Sequence, residues 1–345
     1  MNERDTLAAS PPHASAPPAA EPTWRRELAE AIRDPAELLR LLALPEALLP
    51  AARRAAALFP LLVPRGFVAR MVPGDPADPL LRQVLPLGDE ELDRPGFTAD
   101  PLGETACGPV PGLLHKYRGR ALLVTTGACA VHCRYCFRRH FAYGDLPAGR
   151  RWWGPALDYL RTDADIHEVL LSGGDPLTLP DAQLAALAQD LAGVPHLQRL
   201  RVHTRLPVVL PSRVDERLLA WLAGSRLKPV VVIHANHPRE LAPPVVAACQ
   251  RLRGAGVTVL NQAVLLAGVN DDEGVLAALS EGLFAAGVLP YYLHALDRVQ
   301  GAGHFLVADD RARRLLAGLA ARLPGYLVPR LVREEPGQPG KTPLI

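Results

Sequence analysis

Short apolar runs rich in β-branched residues recur along the chain at 121–125, 168–171, 199–203, 229–233, 257–261 and 289–293. Runs of that length, bounded by turn-forming residues, fit strands buried on both faces. Between and after them lie stretches in which apolar residues return every three or four positions, at 152–161, 181–192, 215–223, 239–253, 272–285 and 309–322. That spacing marks one face of an α-helix. Several of these stretches open on aspartate (Asp181, Asp215, Asp272, Asp309), a residue suited to cap a first helical turn. Six strands alternating with six helices predict an α/β fold with a parallel sheet and right-handed crossovers. Periodicity alone fits either a doubly wound sheet or a partial barrel. Unusual polar residues follow the strands: TTGACAVHC, SGGDPL, HTR, HANHP, NQ and HALDR. Ligands bind at the carboxyl edge in both architectures. Because every strand contributes, the pattern favours a curved, barrel-like sheet.

Upstream, WRRELAEAIRDPAELLRLLAL and PEALLPAARRAAALF carry helical spacing, which predicts two or three short helices broken at Pro35 and Pro45. Residues 60–113 are dense in Pro, Gly and Asp, an irregular connection with short helical pieces around 80–84. Residues 1–22 are rich in Pro, Ala and Ser without periodicity and read as a disordered tail. The expected organisation is a tail (1–22), a helical and irregular extension (23–113), a barrel (114–323) and a C-terminal segment (324–345).

With 345 residues, 49% of them hydrophobic, the chain can bury a full core without disulfides or a structural metal. A net charge of +2 gives no reason to expect nucleic acid as partner. No apolar run is long enough to span a membrane, and the first residues lack a secretory apolar region. A cytoplasmic enzyme is the expectation. Of five cysteines, Cys129, Cys133 and Cys136 stand within eight residues, a cluster that points to metal or redox chemistry. The only lysines are Lys116, Lys228 and Lys341, so any lysine chemistry has three candidates.

The Cys-x₃-Cys-x₂-Cys spacing on one loop can hold three corners of a cubane iron–sulfur cluster. The fourth iron would then be open to a ligand, as in catalytic metal centres. A zinc site completed by His132 or His140 is the competing reading. The motif, placed after the first strand, resembles the radical S-adenosylmethionine (SAM) superfamily. That resemblance implies a partial (β/α)₆ TIM-like barrel, a [4Fe-4S] cluster that chelates SAM, and a 5′-deoxyadenosyl radical released by reduction. SGGDPL, with Ser172, Gly173, Gly174 and Asp175, is similar to the superfamily's glycine-rich SAM loop, and Arg205 and His234 stand where they would line the same pocket.

Four segments narrow the resemblance: HKYRGRALLVTTGACAVHCRYCFRR, LNQAVLLAGVND, PYYLHALDRVQGAGHF and the terminal PGKTPL resemble lysine 2,3-aminomutases. The family pairs the radical with pyridoxal 5′-phosphate (PLP). The resemblance then implies Lys341 as the Schiff-base lysine, with Lys116, Tyr117 and Arg120 near the PLP phosphate and Gln262 as a further polar contact. Arg138 matches the family arginine for the substrate carboxylate, and Asp297 and Glu334 match acids for the lysine ε-ammonium, Glu334 replacing an aspartate. The chain ends at Ile345 with no cysteine after Cys249, so the interface zinc of longer relatives is not expected. The short form looks like the branch that makes (R)-β-lysine from (S)-α-lysine for elongation factor P. A reducing electron donor and a synthetase-like lysyl-transferring enzyme are the implied partners. Alternatives are a mutase for glutamate or arginine, and a PLP-independent radical SAM maturation enzyme.

Overall fold

The computed structural model describes residues 21–146 and 152–345, so the expected tail lies, through residue 20, outside the described residues. The apolar runs build one nine-stranded sheet whose spatial order follows the chain. Its strands are β1 (Leu113–Tyr117), β2 (Arg120–Thr126), β3 (Glu168–Gly173), β4 (Arg199–Thr204), β5 (Lys228–Ile233), β6 (Thr258–Val264), β7 (Leu289–His294), β8 (Arg330–Arg333) and β9 (Thr342–Pro343). Neighbours from β2 to β8 are parallel; β1 and β9 are antiparallel additions at the two edges.

The helices are α1 (Thr23–Ala29), α2 (Pro35–Leu41), α3 (Leu49–Leu58), α4 (Arg65–Val68), α5 (Gly154–Thr162), α6 (Asp181–Ala192), α7 (Leu206–Val209), α8 (Glu216–Ala223), α9 (Pro243–Gly254), α10 (Glu273–Ala285) and α11 (Asp309–Arg322). The six expected strand–helix units run from β2–α5 to β7–α11, with the short α7 added between β4 and α8. Asp215 and Asp272 cap α8 and α10, accepting from Leu218 N–H at 2.9 Å and Val275 N–H at 3.0 Å. Asp181 and Asp309 instead lie within their helices, where a carboxylate still favours the positive end of the helix dipole. The stretch expected from 239 becomes helical only at Pro243, since adjacent prolines without N–H groups suit a first turn.

The sheet curves, and its two faces divide the labour. Ala121, Leu123, Val169, Leu171, Leu200 and Val202 point outward into the core under the helices. Their alternating neighbours Arg120, Leu122, Glu168, Leu170, Arg201 and His203 line a cavity on the concave side, together with Gln262 and Tyr292. Side chains from well-separated strands meeting in one space make this an open barrel, not a flat sheet. The extension packs against it: Trp24, Leu38 and Phe67 belong to the same buried cluster as the barrel core. Among the described residues no helix is long and apolar enough to cross a membrane.

Candidate active site

The loop after β2 carries the cysteines into the barrel mouth. Its intervening residues are sewn to the extension: His132 N–H donates to Leu62 O at 2.9 Å and Arg134 N–H to Gln83 O at 2.9 Å. The fully buried Arg134 guanidinium grips Glu90 through Nε at 2.7 Å and Nη2 at 2.6 Å. These ties leave Cys129, Cys133 and Cys136 facing the cavity. Burial, with neighbouring thiols adding, pushes the Cys129 thiol well up and Cys136 to about 11. Such thiols ionise readily only beside a metal, which cancels the mutual repulsion of thiolates. No three His, Cys, Asp or Glu side chains among the described residues close around a single ion. His132 Nδ1 pairs with Pro60 O at 2.8 Å and His140 Nε2 with Gln300 O at 3.2 Å. Each of these histidines thus spends one ring nitrogen on backbone, while the three thiols face the cavity together.

Gly173 and Gly174 press against this loop from β3. A Cβ on Gly174 would lie 2.3 Å from Ala128 O, and one on Gly173, whose φ is +129°, 2.5 Å from Thr126 O. The glycines are thus required first by the chain's own backbone. Asp175, 4% exposed, accepts from Thr204 Oγ1 at 2.7 and 2.9 Å, Arg205 N–H at 2.7 Å and Leu177 N–H at 3.1 Å. Its carboxylate ties β3 to β4 inside the fold, although the residue borders the cavity. Burial, only partly offset by those bonds, raises its pKa to about 6. Ser172 stands behind the cavity wall and accepts from Arg138 Nη1 at 2.9 Å.

A chain of alternating charges crosses the cavity. Arg138 forks onto Glu104 through Nε at 2.6 Å and Nη2 at 2.9 Å. Lys116 Nζ bridges Glu104 at 3.1 Å and Glu334 at 3.0 Å, and Lys341 Nζ donates to Glu334 at 2.7 Å. Against the cost of burial, Lys341 and Lys116 hold Glu334 down at about 2. Glu334, expected to face a substrate ammonium, thus already bridges two protein lysines. Arg138, expected to grip a substrate carboxylate, already holds a protein one. Asp297 differs: burial, then Glu334, pushes it up to about 7, and its carboxylate has no hydrogen-bond partner among the described residues. Tyr117 and Arg120 flank Lys116, with the guanidinium 4.5 Å from the ring centroid.

Gln262 Nε2 and His234 Nε2 meet at 2.9 Å, and burial, with Arg205 adding, keeps His234 neutral with a pKa of about 3. His203 and His294 each bury an Nε2 without a hydrogen-bond partner while lining the cavity. Arg205 Nη1 reaches Cys133 Sγ at 2.7 Å. Thus one space of about 400 Å³ brings together the three cysteines, Lys341, Lys116, Tyr117, Arg120, Gln262, Gly173, Gly174, Asp175, Arg205, His234, Arg138, Asp297 and Glu334. Lys116, Arg120, the Lys341 amine and the unpartnered imidazoles of His203 and His294 could hold a small anionic cofactor, with Glu104 and Glu334 as the competing partners of the two lysines. Sequence reasoning missed Glu104, Gln83 and Glu240. Charge balance was the available signal for Glu104, since the five cavity cations expected from the sequence (Lys116, Arg120, Arg138, Arg205, Lys341) outnumber the three expected acids (Asp175, Asp297, Glu334).

No family model matches the chain. An L-lysine 2,3-aminomutase of Escherichia coli is 51% identical over 322 residues, covering 93% of this chain and 94% of that protein. One from Haemophilus influenzae is 48% identical over 322 residues, covering 93% and 95%. Among solved structures, a radical SAM methyltransferase from Sphaerobacter thermophilus overlaps 64% of this chain and 68% of that one, with TM-score 0.45 and 19% identity.

Proposed function

Because the chain belongs to the L-lysine 2,3-aminomutase family of amino-group-moving isomerases, we propose that it converts (S)-α-lysine to (R)-β-lysine with a [4Fe-4S] cluster, SAM and PLP. The observation that carries the proposal is the shared cavity: the thiol trio of the first barrel loop and the near-terminal Lys341 open into one space. Bound there, the cluster with SAM supplies a 5′-deoxyadenosyl radical, and PLP supplies an aldehyde for the amine and a conjugated ring that delocalises an unpaired electron. Cys129, Cys133 and Cys136 hold the cluster and leave one iron for SAM. Lys341 offers its amine to the aldehyde, while Lys116, Arg120 and Tyr117 receive the phosphate. Arg138, kept charged by Glu104, has one N–H of Nη2 not spent on Glu104, Ser172 or Gly173, and offers it to the substrate carboxylate. Asp297 receives the ε-ammonium. The low, cation-clamped pKa of Glu334 keeps a second negative charge nearby across the neutral pH range.

The product's proposed destination is elongation factor P, through a separate synthetase-like enzyme in the cytoplasm, with an external one-electron donor reducing the cluster. The quoted motifs support this assignment. Anaerobic incubation of reconstituted chain with SAM, PLP, reductant and (S)-α-lysine, followed by chiral analysis, tests the core of the proposal. (R)-β-lysine is expected. Lys341→Ala should keep iron and sulfide but lose turnover and the absorbance of the lysine–PLP linkage. Full activity of that variant, or no β-lysine from the parent chain, overturns the reading.

A further inference from the structure

Arg205 is spent on the chain's own groups. Nη1 donates to Cys133 Sγ at 2.7 Å, while Nη2 donates to Gln83 Oε1 at 2.6 Å and Glu240 Oε2 at 3.1 Å. Both partners are fully buried. Gln83 Nε2 in turn donates to Glu240 Oε1 at 3.0 Å, and the same oxygen accepts from the N–H groups of Asn236 at 3.0 Å and His237 at 3.1 Å. Asn236 Nδ2 closes the network on Gln83 Oε1 at 2.9 Å and Tyr135 O–H at 2.7 Å. A guanidinium held by three partners through Nη1 and Nη2, with its buried Nε unpartnered, is fixed in one pose, and that pose places a positive charge and an N–H on a sulfur of the cysteine loop.

We propose that Arg205 sets the reduction potential of the iron–sulfur cluster, and that Gln83 and Glu240 are the positioning residues that fix its hydrogen bond to the Cys133 sulfur. The proposal rests on the cluster assignment above and not on PLP. Potentials of such clusters follow net charge and hydrogen bonds to sulfur. A one-electron reduction adds negative charge to the cluster, so a nearby cation favours the reduced form and a nearby anion the oxidised one. The Arg205–Glu240 pair therefore works as an opposed couple. Its strength at the sulfur depends on how much of the guanidinium charge Glu240 offsets. This gives the extension, through Gln83, a part in electron entry that no cavity contact would reveal.

The test is a mediated redox titration of reconstituted protein without SAM, followed by electron paramagnetic resonance of the reduced cluster. Arg205→Met should shift the one-electron equilibrium at least tenfold towards the oxidised form, a midpoint about 59 mV more negative. Glu240→Gln should move it the opposite way, and Arg205→Lys should fall between parent and Arg205→Met. An unchanged midpoint in the Arg205 variants, or a negative shift in Glu240→Gln, overturns the proposal. Where Arg205→Met takes up no iron and sulfide, Arg205→Lys and Glu240→Gln decide by the same signs. A parent chain that binds no cluster refutes the cofactor assignment instead, an outcome distinct from a bound cluster of fixed potential.

Discussion

Asp297 shows how a single carboxyl can be left waiting for a ligand. Glu104 and Glu334 each accept hydrogen bonds from two cations, whereas Asp297 accepts none and feels Lys341 and Lys116 only at longer range, too weakly to offset burial and Glu334, so it is raised to about 7. A carboxyl raised in this way keeps its proton below that pH, and a protonated acid cannot balance an ammonium. Lysine binding should therefore tighten as pH rises through about 7 and weaken as pH falls below it. Asp297→Asn should abolish this step and weaken binding by about 1.5–3 kcal/mol, roughly ten- to 150-fold. Equilibrium titration of lysine across neutral pH checks both effects, and a step that persists in the variant would assign it to another group. Residue types at this scale were readable in advance: three close cysteines and a lysine in a lysine-poor chain stand out without any fold. Partners were not. Whether Glu334 faces a substrate or Lys116 depends on contacts that close across more than two hundred residues of chain.

At the level of elements, the cysteine loop and the end of β3 form one unit. Gly174 N–H donates to Thr126 O at 2.7 Å and Asp175 N–H to Ala128 O at 2.7 Å, so the glycines and the loop share a hydrogen-bonded seam. Adding a methyl at Gly174 would force the loop to shift, because the obstructing atoms are backbone. Gly174→Ala should retain helical circular dichroism and lose most cluster uptake, measured as iron and sulfide per chain. Full uptake would mean that the loop can yield without disturbing the thiols. The six strand–helix units were legible because long periodic stretches report their own burial. The edge strands were not. At one edge β1 has a shift in register beside Tyr117; at the other, the edge strand β9 has two residues and β8 beside it four, so each is defined by pairing with its neighbour and not by a periodic run of its own. Those strands nevertheless carry Lys116, lead into Glu334, and follow Lys341 directly, so much of the cofactor end was hidden from periodicity.

Across the described residues, the extension and the barrel share a hydrophobic core and several buried ionic junctions, and the one at Glu90 sits under the cysteines. Glu90 accepts from Arg134 at 2.6 and 2.7 Å and from Arg139 Nη2 at 2.8 Å, with the Glu90 and Arg134 side chains wholly shielded from water. Because Arg134 lies between Cys133 and Cys136, a loss at Glu90 is transmitted to the cluster loop and not only to the domain seam. Removing one member of a buried pair leaves an uncompensated charge, which costs about 3–5 kcal/mol. Glu90→Gln should lower the unfolding free energy by that order. It should also bleach the cluster at a denaturant concentration below the one that melts the barrel helices. Parallel urea titrations followed by visible absorbance and far-ultraviolet circular dichroism separate the two transitions. Coincident curves, shifted together, would make Glu90 a general stability contact. Curves that part would show that the extension's chief contribution is to hold the thiol loop in place.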